Sequence, residues 1–282
     1  MKASNAGRQV SAGAHRGGER VARSGPFEWL ARAGFVARGV IYALIGVLAI
    51  KLALGVEGGD AADQQGALRN IASQRFGETL LIATAIGLAG YALWRLVRAA
   101  IGHGPEARDD GFDRGAALIS GIAYATLCVI AIRVLDSPSK RSSGSGDAQR
   151  TTSDVLGWTG GPWLVGIAGL ALIGVGLYQG YKGISQKFLE DAKTEQMSHR
   201  ARQAFTGLGT FGHVARMVVF CMVGYFLAKA AIDYNPDEAI GLDGALSKLA
   251  QNSYGPYLLG VVAAGLFGFG LFSIVDARYH RI

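Results

Sequence analysis

Half of the 282 residues are hydrophobic, 17% are charged, and the formal net charge is +7. The apolar residues gather into six long runs, which leaves too little polar sequence to cover a soluble core and excludes a large water-soluble globule. The positive charge lies in loops and tails rather than on a basic folded face with stacking aromatics, which excludes a nucleic-acid reader.

Residues 1–25 come first and are rich in Gly, Ala, Ser and Arg. This composition predicts a disordered basic tail. No apolar core follows its charges directly, so the tail does not read as a cleavable signal peptide. The six runs cover about 29–52, 77–101, 113–135, 161–184, 207–232 and 255–277. Each is long enough for a helix to cross about 30 Å of hydrocarbon. The strict ten-residue alternation of barrel strands is absent.

The runs repeat as pairs. In the first members, Arg38, Ser120 and Arg216 share one slot, Tyr42, Tyr124 and Phe220 a second, and Lys51, Arg133 and Lys229 a third. In the second members, Gly77, Gly161 and Gly255 open the run. Gly90, Gly174 and Gly268 fall in the middle, and Trp94, Tyr178 and Phe272 near the end. The chain therefore reads as an all-α polytopic membrane protein of six transmembrane helices. Its units are repeat 1 at 26–104, repeat 2 at 105–190 and repeat 3 at 191–282. A two-span unit returns to its starting side, so the repeats should be parallel and related by a pseudo-threefold axis along the membrane normal.

Between the runs, 60–76 and 236–254 carry short amphipathic patterns, with Leu68, Ile71 and Phe76 in one and Leu242, Leu246 and Leu249 in the other. Both are expected as short helices on the outer interface. In repeat 2 the Ser- and Gly-rich stretch 137–146 stands there instead and is expected to be flexible. The charged loop 186–203 is expected to extend a helix into the cytoplasm. Most of the Lys and Arg fall in the tail, in the two loops between repeats and at the C-terminus, which places both termini in the cytoplasm. Basic residues there are attracted to anionic lipid at about 1 kcal/mol each.

Arg38 and Arg216 are the sharpest site signal, since each lies about two turns inside a span, where a charge is costly. They read either as locks between helices or as the lining of a cytoplasm-facing cavity for an anion or lipid phosphate. Asp276, at the inner end of the last span, is the expected ion partner of Arg216. Arg38 is instead surrounded by Arg95 and Arg98 and, with Tyr42, forms the anion- or lipid-binding candidate. His213 precedes Arg216 by three residues, shares its face and would add pH sensitivity. Cys128 and Cys221 occupy non-equivalent slots and read as small core residues; no metal, haem, nucleophile or phosphate-loop pattern is present.

These motifs resemble a bacterial membrane-protein family catalogued as domain of unknown function 1206. The resemblance rests on Gly34 to Tyr42 with Gly46, on Gly66-Ala67-Leu68 with Phe76-Gly77, and on Gly90 to Arg95. It covers about 29–280 in three copies, and the second departs most, with Ser120 in the arginine slot. It implies a six-span protein of the bacterial inner (plasma) membrane, with no catalytic residues and no substrate. The expectation is a non-enzymatic scaffold, accessory or lipid-interacting protein without cofactor or metal; the alternative is a small-solute or ion transporter or channel. Its expected partners are membrane lipids, anionic on the cytoplasmic side, with a second copy or another membrane protein as the alternative and no nucleic acid.

Overall fold

The computed structural model describes residues 25–56, 61–101, 111–136 and 144–280, so the basic tail expected at 1–25 lies outside it apart from Gly25. Among the described residues the only regular elements are helices. Six are long and apolar enough to cross a membrane: α1 (Gly25–Ala53), α3 (Gly77–Ile101), α4 (Gly111–Asp136), α6 (Gly161–Ile184), α7 (His199–Ile232) and α9 (Gly255–Tyr279). Three are short and amphipathic: α2 (Gln64–Ala72), α5 (Gly144–Leu156) and α8 (Leu242–Ala250). Each precedes the second span of its unit.

The α5 helix corrects the expectation of a flexible stretch before the second span of repeat 2. Residues 137–143 lie outside the described residues, but Gly144-Ser145-Gly146 opens a helix. Its N-terminus is held by the other units. Gly144 N–H donates to Asp63 Oδ2 (2.6 Å), and Ser145 N–H donates to Asp243 Oδ1 (2.9 Å). Ser145 Oγ accepts from the Gly241 and Gly244 N–H groups at the start of α8 (3.0 and 3.1 Å) and donates to Asp243 (2.7 Å). Asp63 also caps α2 through the Gly66 N–H (2.7 Å). Three helix N-termini thus satisfy one another's orphan donors at one end of the bundle, opposite Gly25 and His280. Burial pushes the Asp63 carboxyl above its usual value, against the pull of those two backbone donors.

The step from short helix into span is the same in all three units. A Cβ on Gly77, Gly161 or Gly255 would strike the backbone carbonyl of Ala72, Val155 or Ala250 respectively, so only glycine fits. The loop 185–198 is less helical than expected: two 3₁₀ turns precede α7, which begins at His199 behind the Ser198 cap.

The spans follow one another in space as α4–α3–α1–α9–α7–α6. The closest packing joins the first span of one unit to the second span of its neighbour: α1 to α9, α4 to α3, and α7 to α6. Small residues let these backbones approach. Gly39 and Gly270 face each other across α1 and α9, and Gly169 and Gly224 across α6 and α7. Within units, α1 also packs on α3 and α7 on α9, but α4 and α6 make at most a glancing contact. The apolar windows of α1, α3 and α9 are 61, 50 and 56% buried, against 17, 22 and 28% for α4, α6 and α7. A cavity of about 200 Å³ lies among α1, α2, α6, α7, α8 and α9, and the ends of the row, α4 and α6, do not close on each other.

Candidate functional site

Arg38 is buried on α1 and fully engaged. Its Nε donates to Ser273 Oγ (2.7 Å) and its Nη1 to Tyr91 Oη (2.6 Å), and Nη2 stands 3.6 Å from Asp276 Oδ2. Ser273 Oγ in turn donates a hydrogen bond to the Phe35 carbonyl (3.0 Å), which anchors the cage to α1. The guanidinium lies over the rings of Phe35, Tyr91 and Phe269, 4.7, 5.1 and 5.4 Å from their centroids. Asp276 is shared with His280 Nδ1 (3.1 Å). Such a pair survives burial because hydrogen bonds and aromatic faces replace water around both charges.

This overturns the pairing expected from the sequence. Asp276 belongs to Arg38, not to Arg216. The expectation assumed that a carboxylate pairs inside its own hairpin, whereas Ser273 and Asp276 lie on the face of α9 that meets α1. Arg38 is therefore a lock and not an open anion site. Of its expected companions, Arg95 donates to Tyr91 Oη (3.2 Å) and stacks over Trp94 at 5.2 Å. Arg98 lies 4.8 Å over the same Trp94 ring. Both join the rim of the cage and leave Arg38 enclosed.

Tyr42 belongs to the other arginine. It lines the cavity with Gln64, Leu172, Arg216, Val219, Phe220, Val223, Leu242 and Leu266, so that α1, α2, α6, α7, α8 and α9 all contribute to the wall. The Arg216 guanidinium lies over Phe269, Tyr42 and Phe220 at 4.4, 5.1 and 5.2 Å. With its amide oriented to satisfy both groups, Gln179 Oε1 accepts from Arg216 Nη2 and Nη1 at 3.0 and 3.1 Å. Arg216 Nε is buried without an acceptor, and no carboxylate among the described residues lies within ion-pair distance of this side chain. The Tyr124 ring of α4 packs edge-on against Tyr91, with centroids 4.5 Å apart at 68°.

His213 is buried. Its Nδ1 meets the Gly209 carbonyl (2.7 Å), and its ring stacks on Phe188 at 5.1 Å and 11°. At the terminal end, Lys182 binds Asp191 (2.7 Å). Burial alone would raise the Asp191 carboxyl, but Lys182, with His280 and Arg98, holds it down to about 2. A separate groove between α1 and α9 is lined by Trp29, Arg32 and Arg278; Arg32 is already satisfied by Glu28 and by the carbonyls of Ala277 and Arg278. Sequence reasoning missed Gln179 and Ser273, yet the repeat register held them: with Gly90, Gly174 and Gly268 aligned, Arg95, Gln179 and Ser273 fall in one slot, and Arg98, Lys182 and Asp276 in another.

The family described as Domain of Unknown Function (DUF1206) matches at residues 33–102, 116–186 and 211–280. The chain belongs to this family. It is also similar to the uncharacterized protein YxxB of Bacillus subtilis (strain 168), with 32% identity over 255 residues, 89% of this chain and 90% of that protein. No solved structure matches it. The three matched segments end at residues 102, 186 and 280, in step with the register that aligns the two arginine environments.

Proposed function

We propose that the chain is a non-enzymatic, lipid-interacting protein of the bacterial inner membrane, built from three parallel two-span units around a pseudo-threefold axis. The axis is supported by the recurrent pairing of each first span with a neighbouring unit's second span. The convergence of α2, α5 and α8, one from each unit, supports it as well. Both termini face the cytoplasm in this reading, and the three short helices face outward, as the distribution of Lys and Arg favours.

One observation carries the function: the cavity beside Arg216 is capped at one end by Gln64 of α2 and Leu242 of α8, while α4 and α6, the two ends of the row of spans, make at most a glancing contact and leave a side opening toward the bilayer in this reading. A conduit needs openings at both water faces, whereas an opening toward lipid suits a protein that holds lipid. Transport of a small solute is the second reading, favoured by the charged Arg216 in the cavity wall. Proteoliposome flux assays separate the two. The expected result is no flux of small ions above empty vesicles, together with anionic lipid co-purifying in native mass spectrometry. Saturable solute uptake would establish the transporter. For topology, a cysteine at position 193 should react only after sealed cells are broken; labelling from outside would reverse the orientation.

A further inference from the structure

We infer that the Arg216 slot is an anion site that takes the acidic headgroup of a membrane lipid, the acyl chains leaving through the opening between α4 and α6. This deepens the lipid-interacting reading and rests on it.

The repeats supply the argument. Arg38 is held by Tyr91 of its own unit and by Ser273 and Asp276 of the adjoining one. By repeat register the same three places around Arg216 hold Phe269, Gln179 and Lys182. A hydroxyl has become a bare ring, a second hydroxyl has become an amide, and the carboxylate has become an ammonium. The slot keeps its cation and has lost the internal counter-charge. Lys182 spends its charge on Asp191 in the loop beyond (2.7 Å), not on Arg216. Arg216 is itself half-buried: its Nε is shielded, and its guanidinium lies over Phe269, Tyr42 and Phe220.

A guanidinium carries five donors in a fixed fork. Gln179 takes one N–H from each Nη group, and of the other three donors the Nε N–H is buried without an acceptor. An oxyanion supplies both the missing acceptor and the missing charge, and phosphate or carboxylate oxygens match the fork. The cavity in front of Arg216 measures about 200 Å³. A cavity of about 150 Å³ holds benzene, so this one admits a headgroup oxyanion and excludes a pair of acyl chains. The chains must lie outside; Leu172 brings α6 into the cavity wall, and α6 makes at most a glancing contact with α4, which leaves room for them there. In the third slot Ser120 replaces the arginine, so the site occurs once.

The full chain, purified in mild detergent from nanodiscs of phosphatidylglycerol or phosphatidylcholine, tests this by native mass spectrometry. Wild type should retain a phosphatidylglycerol, and Arg216→Gln should hold it about tenfold more weakly. Gln179→Glu gives Arg216 an isosteric internal carboxylate, so it should expel the lipid while melting no lower than wild type, a result that loss of fold does not imitate. Arg216→Lys keeps the charge without the fork and should fall between. Adding inorganic phosphate or short-chain phosphatidylglycerol to delipidated wild type separates the sources. Stabilisation by the lipid alone supports the assignment, and stabilisation by phosphate alone replaces the lipid with a free anion and overturns it. Retention that is equal in wild type, Arg216→Gln and Gln179→Glu overturns the site but leaves the lipid-interacting reading standing. No retained anionic lipid in wild type overturns both.

Discussion

The α1–α3–α9 side and the α4–α6 side are built from the same unit, yet one is packed and the other is open. The mid-helix glycine of each second span shows the difference. At Gly90 a Cβ would meet the Leu30 carbonyl oxygen at 2.7 Å, whereas at Gly174 nothing lies within 4 Å. In lipid there is little hydrophobic gain from joining two apolar helices, so small-residue seams and polar locks decide which spans close up. The packed side has both: Gly34 and Gly87 between α1 and α3, and the Arg38 cage across α1, α3 and α9. On the open side Ser120 stands in the arginine slot, and among the described residues α4 and α6 make at most a glancing contact.

The comparison breaks first at its strongest point. Asp276→Ala leaves Arg38 buried without its counter-charge and removes the partner of His280 Nδ1. Removing one member of a buried pair costs about 3 to 5 kcal/mol. Arg216→Ala leaves no orphaned carboxylate and should cost clearly less. Thermal unfolding in detergent measures both; equal losses would mean that ion pairing does not distinguish the two arginines.

What was legible in the sequence follows the same division. The six spans and three units were readable because hydropathy and glycine positions recur in fixed register. Which neighbour each span prefers was not, because a helix apolar on every side shows no stripe to mark its partner. Hence Asp276 was assigned inside its hairpin, to Arg216, when it crosses to Arg38 in another unit. The partners of Arg38, expected to help form a cytoplasm-facing anion site, were hidden for the same reason: Ser273 and Asp276 lie 235 residues or more away along the chain. The α5 helix was hidden differently. Its first turn is Gly and Ser, poor helix formers, and its N-terminal donors are satisfied by Asp63 and Asp243 from other units, a tertiary effect overriding local propensity.

The glycine contrast gives the next test. Gly90→Leu forces a side chain into the α1 contact, and overpacking of that kind costs about 1 to 3 kcal/mol. Gly174→Leu places the same bulk in open space and should stay within about 0.5 kcal/mol of wild type. If both variants melt alike, α4 and α6 close in the membrane. Spin-label pairs at equivalent sites sharpen this: 126 with 170 should give the longest and broadest separation, against 44 with 86 and 222 with 264.

The smallest effect is expected where the loose side is strapped to the packed one. The loop after α6 carries Asp191, which binds Lys182 of α6, while the neighbouring Lys193 N–H donates to the Tyr279 carbonyl at the end of α9 (2.7 Å). Asp191→Asn should loosen this strap by less than about 1 kcal/mol, since the pair is partly exposed and screened by water. Its pH dependence fixes the cause. The folded-state value, about 2, lies below the usual 3.8, so the contribution is fully present above pH 3.8 and disappears as pH falls through about 2. Melting curves of wild type and Asp191→Asn should therefore differ at neutral pH and converge in strong acid. A constant difference down to that pH would assign the loss to the altered packing of the amide, and leave the backbone bond between Lys193 and Tyr279 as the strap that joins the two sides.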